Sequence, residues 1–216
     1  MFTALCLATA MFQGAAAAQD EAMFARTYKQ GEKISYVVAE ADQGSTMSVD
    51  LDFAVKKLVP GGRATVTFTL SNLKITPAGG AAPSASGSID ATTDAHNFPA
   101  KFKVGQDAVN IISLFEMVAA STLDKKVKAG DTDKWTWNGE DVALTVGVKV
   151  TAVDTAGKRL KAEIDAHATH NGKDPIDLTF DSVYDLANGS LVESNCKMSS
   201  PQSAGASMTM TIKRKP

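Results

Sequence analysis

The stretch MSVDLDFAVKKLVPGGRATVTFTLS, residues 47–71, decides the fold class of this 216-residue chain. Apolar residues occupy every second position from 47 to 55 and again from 64 to 70. A period of two is typical of a strand with one buried face and one wet face. Because Pro60, Gly61 and Gly62 separate the two runs, the stretch predicts an antiparallel hairpin.

The same alternation returns along the second half of the chain, at residues 142–150, 160–166, 176–180 and 208–212. Short turns separate most of these runs, which again favours antiparallel neighbours. The sequence therefore predicts a mainly β protein made of antiparallel sheets. Its predicted core includes Phe53, Phe68, Val146, Ile164 and Phe180.

Similar segments begin the two halves of the chain, which suggests an internal repeat. Ile34 and Tyr36 precede the first long hairpin, as Trp135 and Trp137 precede the second, 101 residues later. A recurring spacing of this kind is typical of a duplicated unit. We therefore predict two similar β halves, residues 19–122 and 123–216; the alternative is that two hairpins share only the general strand pattern.

One segment between the halves has the pattern of a helix rather than a strand. From Ala108 to Ala119 the apolar residues recur at helical spacing, and Asp107 is a good N-cap. Asn110, Ser113 and Glu116 mark the side that we expect to be wetter. The broad apolar stripe predicts a single central helix, residues 108–121, packed on the concave face of the sheet.

The first eighteen residues, MFTALCLATAMFQGAAAA, contain no charge and end in small residues. This pattern predicts a secretory signal peptide at 1–18 and a periplasmic or extracellular location. No later segment approaches the roughly 20 apolar residues that a membrane-spanning helix needs, so we expect no integral membrane segment. A net charge of −2 gives no reason to expect a nucleic-acid partner. Cys196 is the single thiol outside the leader, which excludes an internal disulfide in the exported chain.

The residues that commonly perform catalysis are few and scattered. No Gly-x-Ser-x-Gly motif is present, and the three histidines are His96, His167 and His170. Residues three apart on a strand point to opposite faces, so His167 and His170 bind one metal only if the chain turns between them. Solvated histidines at a hairpin end are the other interpretation. We expect no catalytic residues, no metal or cofactor, and no enzyme activity.

Two functional classes remain open for an exported β protein of this kind. Trp135 and Trp137 share one strand face, and Met117, Met208 and Met210 supply adaptable apolar side chains. These five residues predict a site that binds or carries an apolar small molecule or lipid. The alternative is a cell-envelope protein–protein interaction or structural module, in which the same residues only fill a core.

The sequence resembles a family of uncharacterised bacterial secreted proteins with a duplicated β-domain. The resemblance rests on the leader, the paired β halves, the middle helix and the stretch GDTDKWTW, residues 130–137. That family supplies no catalytic residues to assign here. The plan is also similar, at the level of the fold, to periplasmic lipoprotein-carrier proteins, in which a curved sheet and a covering helix enclose an apolar cavity. This second resemblance implies a fold and not a function.

Overall fold

The computed structural model of the chain describes residues 20–42, 45–76, 86–94, 96–99, 102–104, 108–199 and 207–216. The predicted leader and the predicted N-cap Asp107 lie outside these ranges. The described residues form twelve strands and one helix: β1 (Ala22–Phe24), β2 (Lys33–Asp42), β3 (Ser45–Val59), β4 (Arg63–Thr76), β5 (Gly87–Thr92), α1 (Ala108–Ala119), β6 (Lys125–Val127), β7 (Thr132–Asn138), β8 (Val142–Asp154), β9 (Arg159–His170), β10 (Lys173–Asp185), β11 (Ser190–Ser199) and β12 (Ser207–Arg214).

Ten of these strands form one continuous sheet in the order β5-β4-β3-β2-β12-β11-β10-β9-β8-β7. Every neighbouring pair is antiparallel. The last strand, β12, lies beside β2, so strands from both halves of the chain belong to the same sheet. The predicted mainly β, antiparallel fold class is confirmed.

The period of two in the sequence places one apolar row of each strand in the core. Along β3 and β4 the buried residues are Val49, Leu51, Phe53, Val55, Ala64, Val66, Phe68 and Leu70. All five predicted core residues are buried, with at most 2% of their surface exposed. The intervening threonines and charged residues stay on the outer face, where strand-forming threonine is well suited.

The helix α1 lies inside the curve of the sheet rather than upon a flat face. It packs against β4 and β5 on one side and against β9 and β11 on the other, which confirms its predicted place on the concave side. The expectation that Ser113 and Glu116 face water is wrong, because they are only 0% and 2% exposed. Strands from both ends of the sheet surround the helix, so this polar stripe is covered as well. The helix ends at Ala119, two residues earlier than expected.

One end of the curved sheet is closed by a small second sheet of β1 and β6. The ring of Phe24 on β1 packs edge-on against that of Tyr184, with their centroids 4.7 Å apart. The Tyr184 hydroxyl in turn donates a 2.6 Å hydrogen bond to the carbonyl of Ala119, where α1 ends. An otherwise unpaired helix-end carbonyl is thereby satisfied inside the core.

The two tryptophans help to join the free edges of the ten-stranded sheet. The segment after β5 pairs Thr93 with Pro99, and the Trp137 indole on β7 donates a 2.7 Å hydrogen bond to the Pro99 carbonyl. Phe98 packs against both tryptophan rings, at centroid distances of 6.4 Å and 5.5 Å. The described residues of 93–104 therefore connect the β5 edge to β7, and we call them the seam.

The two halves of the chain begin with the same turn. Gly31 and Gly130 both have a positive φ, 75° and 94°. The Gly31 amide donates to the carbonyl of Val55 at 3.1 Å, and the Gly130 amide donates to that of Val150 at 2.8 Å. In each case the same valine donates back to the residue that follows the glycine, at 2.8 Å. The second glycine thus stands 99 residues after the first.

This shared turn changes the match between the halves that the sequence suggested. Tyr36 lies opposite Leu51, and Trp135 lies opposite Val146, at equivalent places in the two hairpins. Trp135 therefore corresponds to Tyr36 and not to Ile34. The match is shifted by two residues, a shift that leaves the buried face unchanged because strands repeat every two residues. An origin by duplication stays a prediction.

Candidate functional site

An apolar cavity of about 530 Å³ lies between α1 and the ends of eight neighbouring strands. This size falls within the range of roughly 300–1,000 Å³ that is usual for small-molecule sites. Its lining comprises Glu40, Met47, Val49, Leu70, Leu73, Val104, Ile111, Ile112, Leu114, Phe115, Val142, Ala168, Thr169, His170, Ile176, Leu178, Met198, Met208 and Met210.

The walls of the cavity become more buried with distance from the strand ends. On β4, Leu73 near the end is half-buried, whereas Leu70 is only 1% exposed. On β12, Met208 is half-buried and Met210 is 4% exposed. The same order holds on β3 for Met47 and Val49 and on β10 for Ile176 and Leu178. The half-buried residues form the rim and the buried ones form the floor.

The polar residues that line the cavity belong to the rim. Glu40 lies two residues before the end of β2, and Thr169 and His170 are the last two residues of β9. The remaining sixteen lining residues are all apolar. The floor therefore offers a ligand only apolar contact, and polar groups meet it only at the opening.

The structure brings together two of the five residues that the sequence proposed for ligand binding. Met208 and Met210 line the cavity, whereas Met117, Trp135 and Trp137 do not. Met117 is fully buried in the core. The tryptophans pack on the seam instead. They lie on the edge strand β7, far across the sheet from β12, which carries Met208 and Met210. A ligand-binding role for any of the five stays a prediction.

Seventeen of the nineteen lining residues were not proposed as ligand contacts from the sequence, among them Met47, Met198, Ile111 and Phe115. Their positions in the sequence, near strand ends or on the apolar stripe of the helix, indicated only weakly that they line a cavity. Met198 lies directly opposite Met208 in the register of β11 and β12. That pairing could be found only once the order of the strands was known, because β-strand alternation does not specify the neighbouring strand.

His167 and His170 lie on opposite faces of β9, since the strand continues through both residues without a turn. His170 Nε2 lies 3.4 Å from Asp141 Oδ2 beside the cavity rim. His167 Nδ1 lies 2.7 Å from Asp177 Oδ1, and both of those side chains are more than half exposed. Within the part of the chain that the structure describes, no three His, Cys, Asp or Glu side chains form a group that could hold a metal ion.

A buried carboxyl group lies on the same helix, directly after the lining residue Phe115. Glu116 is 2% exposed, and its Oε2 atom has no hydrogen-bond partner among the described residues. Burial raises the pKa of Glu116 from 4.5 to about 7, although the nearby Arg26 guanidinium and the Tyr36 hydroxyl favour the charged form. Ser113 Oγ, one turn earlier on the helix, likewise lacks a partner among the described residues.

Burial also changes the acidity of the groups around this carboxyl. The pKa of Tyr28 is raised to about 12, chiefly by burial. Burial similarly raises the pKa of the Tyr36 and Tyr184 hydroxyls, and the negative charge of Glu116 adds to the effect. The three phenols are therefore neutral hydrogen-bonding groups of the core.

Comparison with known proteins gives little further information. No model of a known protein family matches the sequence, and no curated protein matches it. A solved structure from Bacteroides fragilis, provisionally described as an exported protein with a YmcC-like fold, aligns with 90% of this chain and 100% of its own. The two chains are 11% identical and superpose with a TM-score of 0.39, too low to support any functional argument. None of the helices in the described ranges is long and apolar enough to cross a membrane.

Proposed function

We propose that this protein is exported, has no catalytic activity, and binds or carries an apolar small molecule or lipid in the cavity between α1 and the strand ends. The observation that supports this function is the cavity itself: about 530 Å³, with sixteen apolar lining residues and polar ones only at the rim. Export rests on the pattern of the first eighteen residues.

The side chains of the cavity suit a ligand that varies in shape. Met47, Met198, Met208 and Met210 contribute four of the eight methionines of the chain. Methionine is unbranched and polarisable, and it therefore adapts to different apolar surfaces more readily than branched side chains do. Four such residues lining one cavity favour a binding site over ordinary core packing.

The second functional class, an envelope module that binds another protein, needs no cavity. No specific contact or surface of the described residues favours it. It remains the interpretation to adopt if the cavity takes up no ligand.

The test is to block the cavity without changing the rest of the fold. Ala168 lies in the cavity wall on β9 and is 8% exposed, so Ala168→Trp places an indole in the cavity. Ala143 pairs with Thr169 on the neighbouring strand and points to the outer face, which makes Ala143→Trp the matched control. Circular dichroism and urea unfolding show whether each variant is folded. Ala168→Leu serves as a smaller blocking variant if the tryptophan does not fit.

Binding is measured with the environment-sensitive dye N-phenyl-1-naphthylamine, whose fluorescence rises in an apolar site. We expect saturable binding of one dye per chain by the unchanged protein and by Ala143→Trp, and a loss of at least about tenfold in affinity for Ala168→Trp. Absence of saturable binding by the unchanged protein, or equal binding by folded Ala168→Trp, would contradict the proposed function.

A further inference from the structure

We infer that the ligand of this cavity is a single-chain amphiphile, with one hydrocarbon chain of up to about 18 carbons inside and its polar head outside at the rim. This inference rests on the proposed function and specifies the chemical class of the ligand. It follows from the volume of the cavity, from the burial of its walls, and from the place of its polar groups.

The volume limits how much hydrocarbon the cavity can enclose. A methylene group occupies about the same space as a water molecule in the liquid, roughly 30 Å³. A cavity of about 530 Å³ therefore holds about 18 methylene-sized groups. One bent chain of 16 to 18 carbons fills this space. Two chains of that length, as in a diacyl phospholipid, exceed it about twofold.

The distribution of polar groups decides which end of the ligand enters. Leu70, Leu178, Met210 and Ile112 form part of a floor that supplies only apolar contacts. An ionised group buried there without a partner is strongly disfavoured. A ligand with one polar end therefore enters with its chain first.

The rim provides the surroundings that such a head group requires. Glu40 and His170 lie on opposite sides of the opening, on β2 and β9, with β12, β11 and β10 between them. The His170 side chain is 41% exposed and close to Asp141. The rim thus carries both acidic and basic groups and is open to water. A hydrated head group therefore remains at the rim at little cost in free energy. The volume and the apolar floor of the cavity select ligands by the length of the hydrocarbon chain and not by the charge of the head group.

The first experiment displaces the bound dye with saturated fatty acids of 8 to 24 carbons. We expect the affinity to rise about fourfold for each added methylene, since each adds a similar amount of buried apolar surface. The rise should stop near 16 to 18 carbons, where the cavity is full. Ala168→Leu adds three carbons to the wall, so its plateau should come about three methylenes earlier, whereas Ala143→Leu on the outer face should leave it unchanged.

The second experiment compares palmitate with hexadecanedioate, which has the same length but a second carboxylate at the far end. We expect about 100-fold weaker binding of the diacid, because either orientation brings a charge to the apolar floor. Native mass spectrometry of the protein with equimolar lysophospholipid and diacyl phospholipid should show a 1:1 adduct of the lysophospholipid.

The outcomes separate this inference from the proposed function. A chain-length plateau, a weakly bound diacid and a lysophospholipid adduct support the single-chain amphiphile. Equal binding of the diacid, preference for the diacyl lipid, or displacement only by rigid ring compounds overturns the inference while the cavity remains a binding site. Absence of any bound dye, fatty acid or lipid overturns both.

Discussion

Replacing Glu116 with glutamine tests how the buried carboxyl group affects the stability of the fold. The Glu116 side chain is enclosed between α1 and the surrounding strands, close to Arg26 and Tyr36. Its pKa is raised from 4.5 to about 7, mainly because the charged form has lost its water. Glutamine has nearly the same shape but carries no charge at any pH.

The raised pKa makes the contribution of Glu116 to stability depend on pH in a defined direction. Between pH 4.5 and about pH 7, Glu116 in the folded protein holds a proton that the same residue has released in the unfolded chain. The stability associated with this proton is fully present below pH 4.5 and is lost as the pH rises through 7. A pKa difference of this size corresponds to about 3 kcal/mol.

The free energy of unfolding is measured by urea denaturation at pH 5, 6, 7 and 8, followed by tryptophan fluorescence. We expect Glu116→Gln to gain about 2.5 kcal/mol relative to the unchanged protein between pH 5 and pH 8, most of the full difference. Taking the difference between the two proteins removes the contributions of all other titrating groups. Glu163→Gln is the control, because the Glu163 side chain is 45% exposed in its pair with Lys149 and its replacement should change the free energy of unfolding by less than about 1 kcal/mol at each pH. Parallel stability curves for Glu116→Gln and the unchanged protein, within about 0.5 kcal/mol, would refute the reasoning.

Three further predictions concern the closed end, the seam and the buried thiol. A side chain at Gly189 would place its Cβ atom 2.1 Å from the Ala25 carbonyl oxygen, so Gly189→Ala should lower the free energy of unfolding, measured by urea denaturation, by about 2–3 kcal/mol. Gly172 has a similar positive φ but free space around it, so Gly172→Ala should cost clearly less. Trp137→Phe removes the indole donor of the seam and should cost about 1–3 kcal/mol in the same assay; an unchanged urea midpoint would show that this hydrogen bond does not stabilise the closure. Burial raises the pKa of Cys196 from 9.0 to about 12, so its reaction with a thiol reagent at pH 8 should be about 1,000-fold slower in the native protein than in urea, and equal rates would contradict its burial.

The sequence determined the strands, their buried faces and the position of the helix. These features are local, because a strand repeats every two residues and a helix every 3.6, and each pattern is visible within a dozen residues. Phe53, Phe68 and Ile164 could therefore be assigned to the core before any strand had a known neighbour. The expected absence of an internal disulfide rested on the predicted leader as well as on the positions of Cys6 and Cys196, and it stays a prediction.

The tertiary structure alone decided which strands are neighbours and how far the sheet curls. The pairing of β12 with β2 joins strands from the two ends of the chain in one sheet. The curl of that sheet buries Ser113 and Glu116, although the sequence of their helix is that of an ordinary amphipathic helix. Trp135 and Trp137 were rightly seen to share a face, but only the closure at the seam showed what that face contacts.

The cavity was the feature least accessible to the sequence. Met208 and Met210 were proposed as ligand contacts from their residue type, whereas Met47 and Met198 join them only because the start of β3 and the end of β11 lie at the same side of the sheet. Alternation tells which way a side chain points, but a cavity is the space that distant elements leave unfilled between them. Its volume and its lining depend on strand order, register and curvature together, which are long-range properties that no local pattern records.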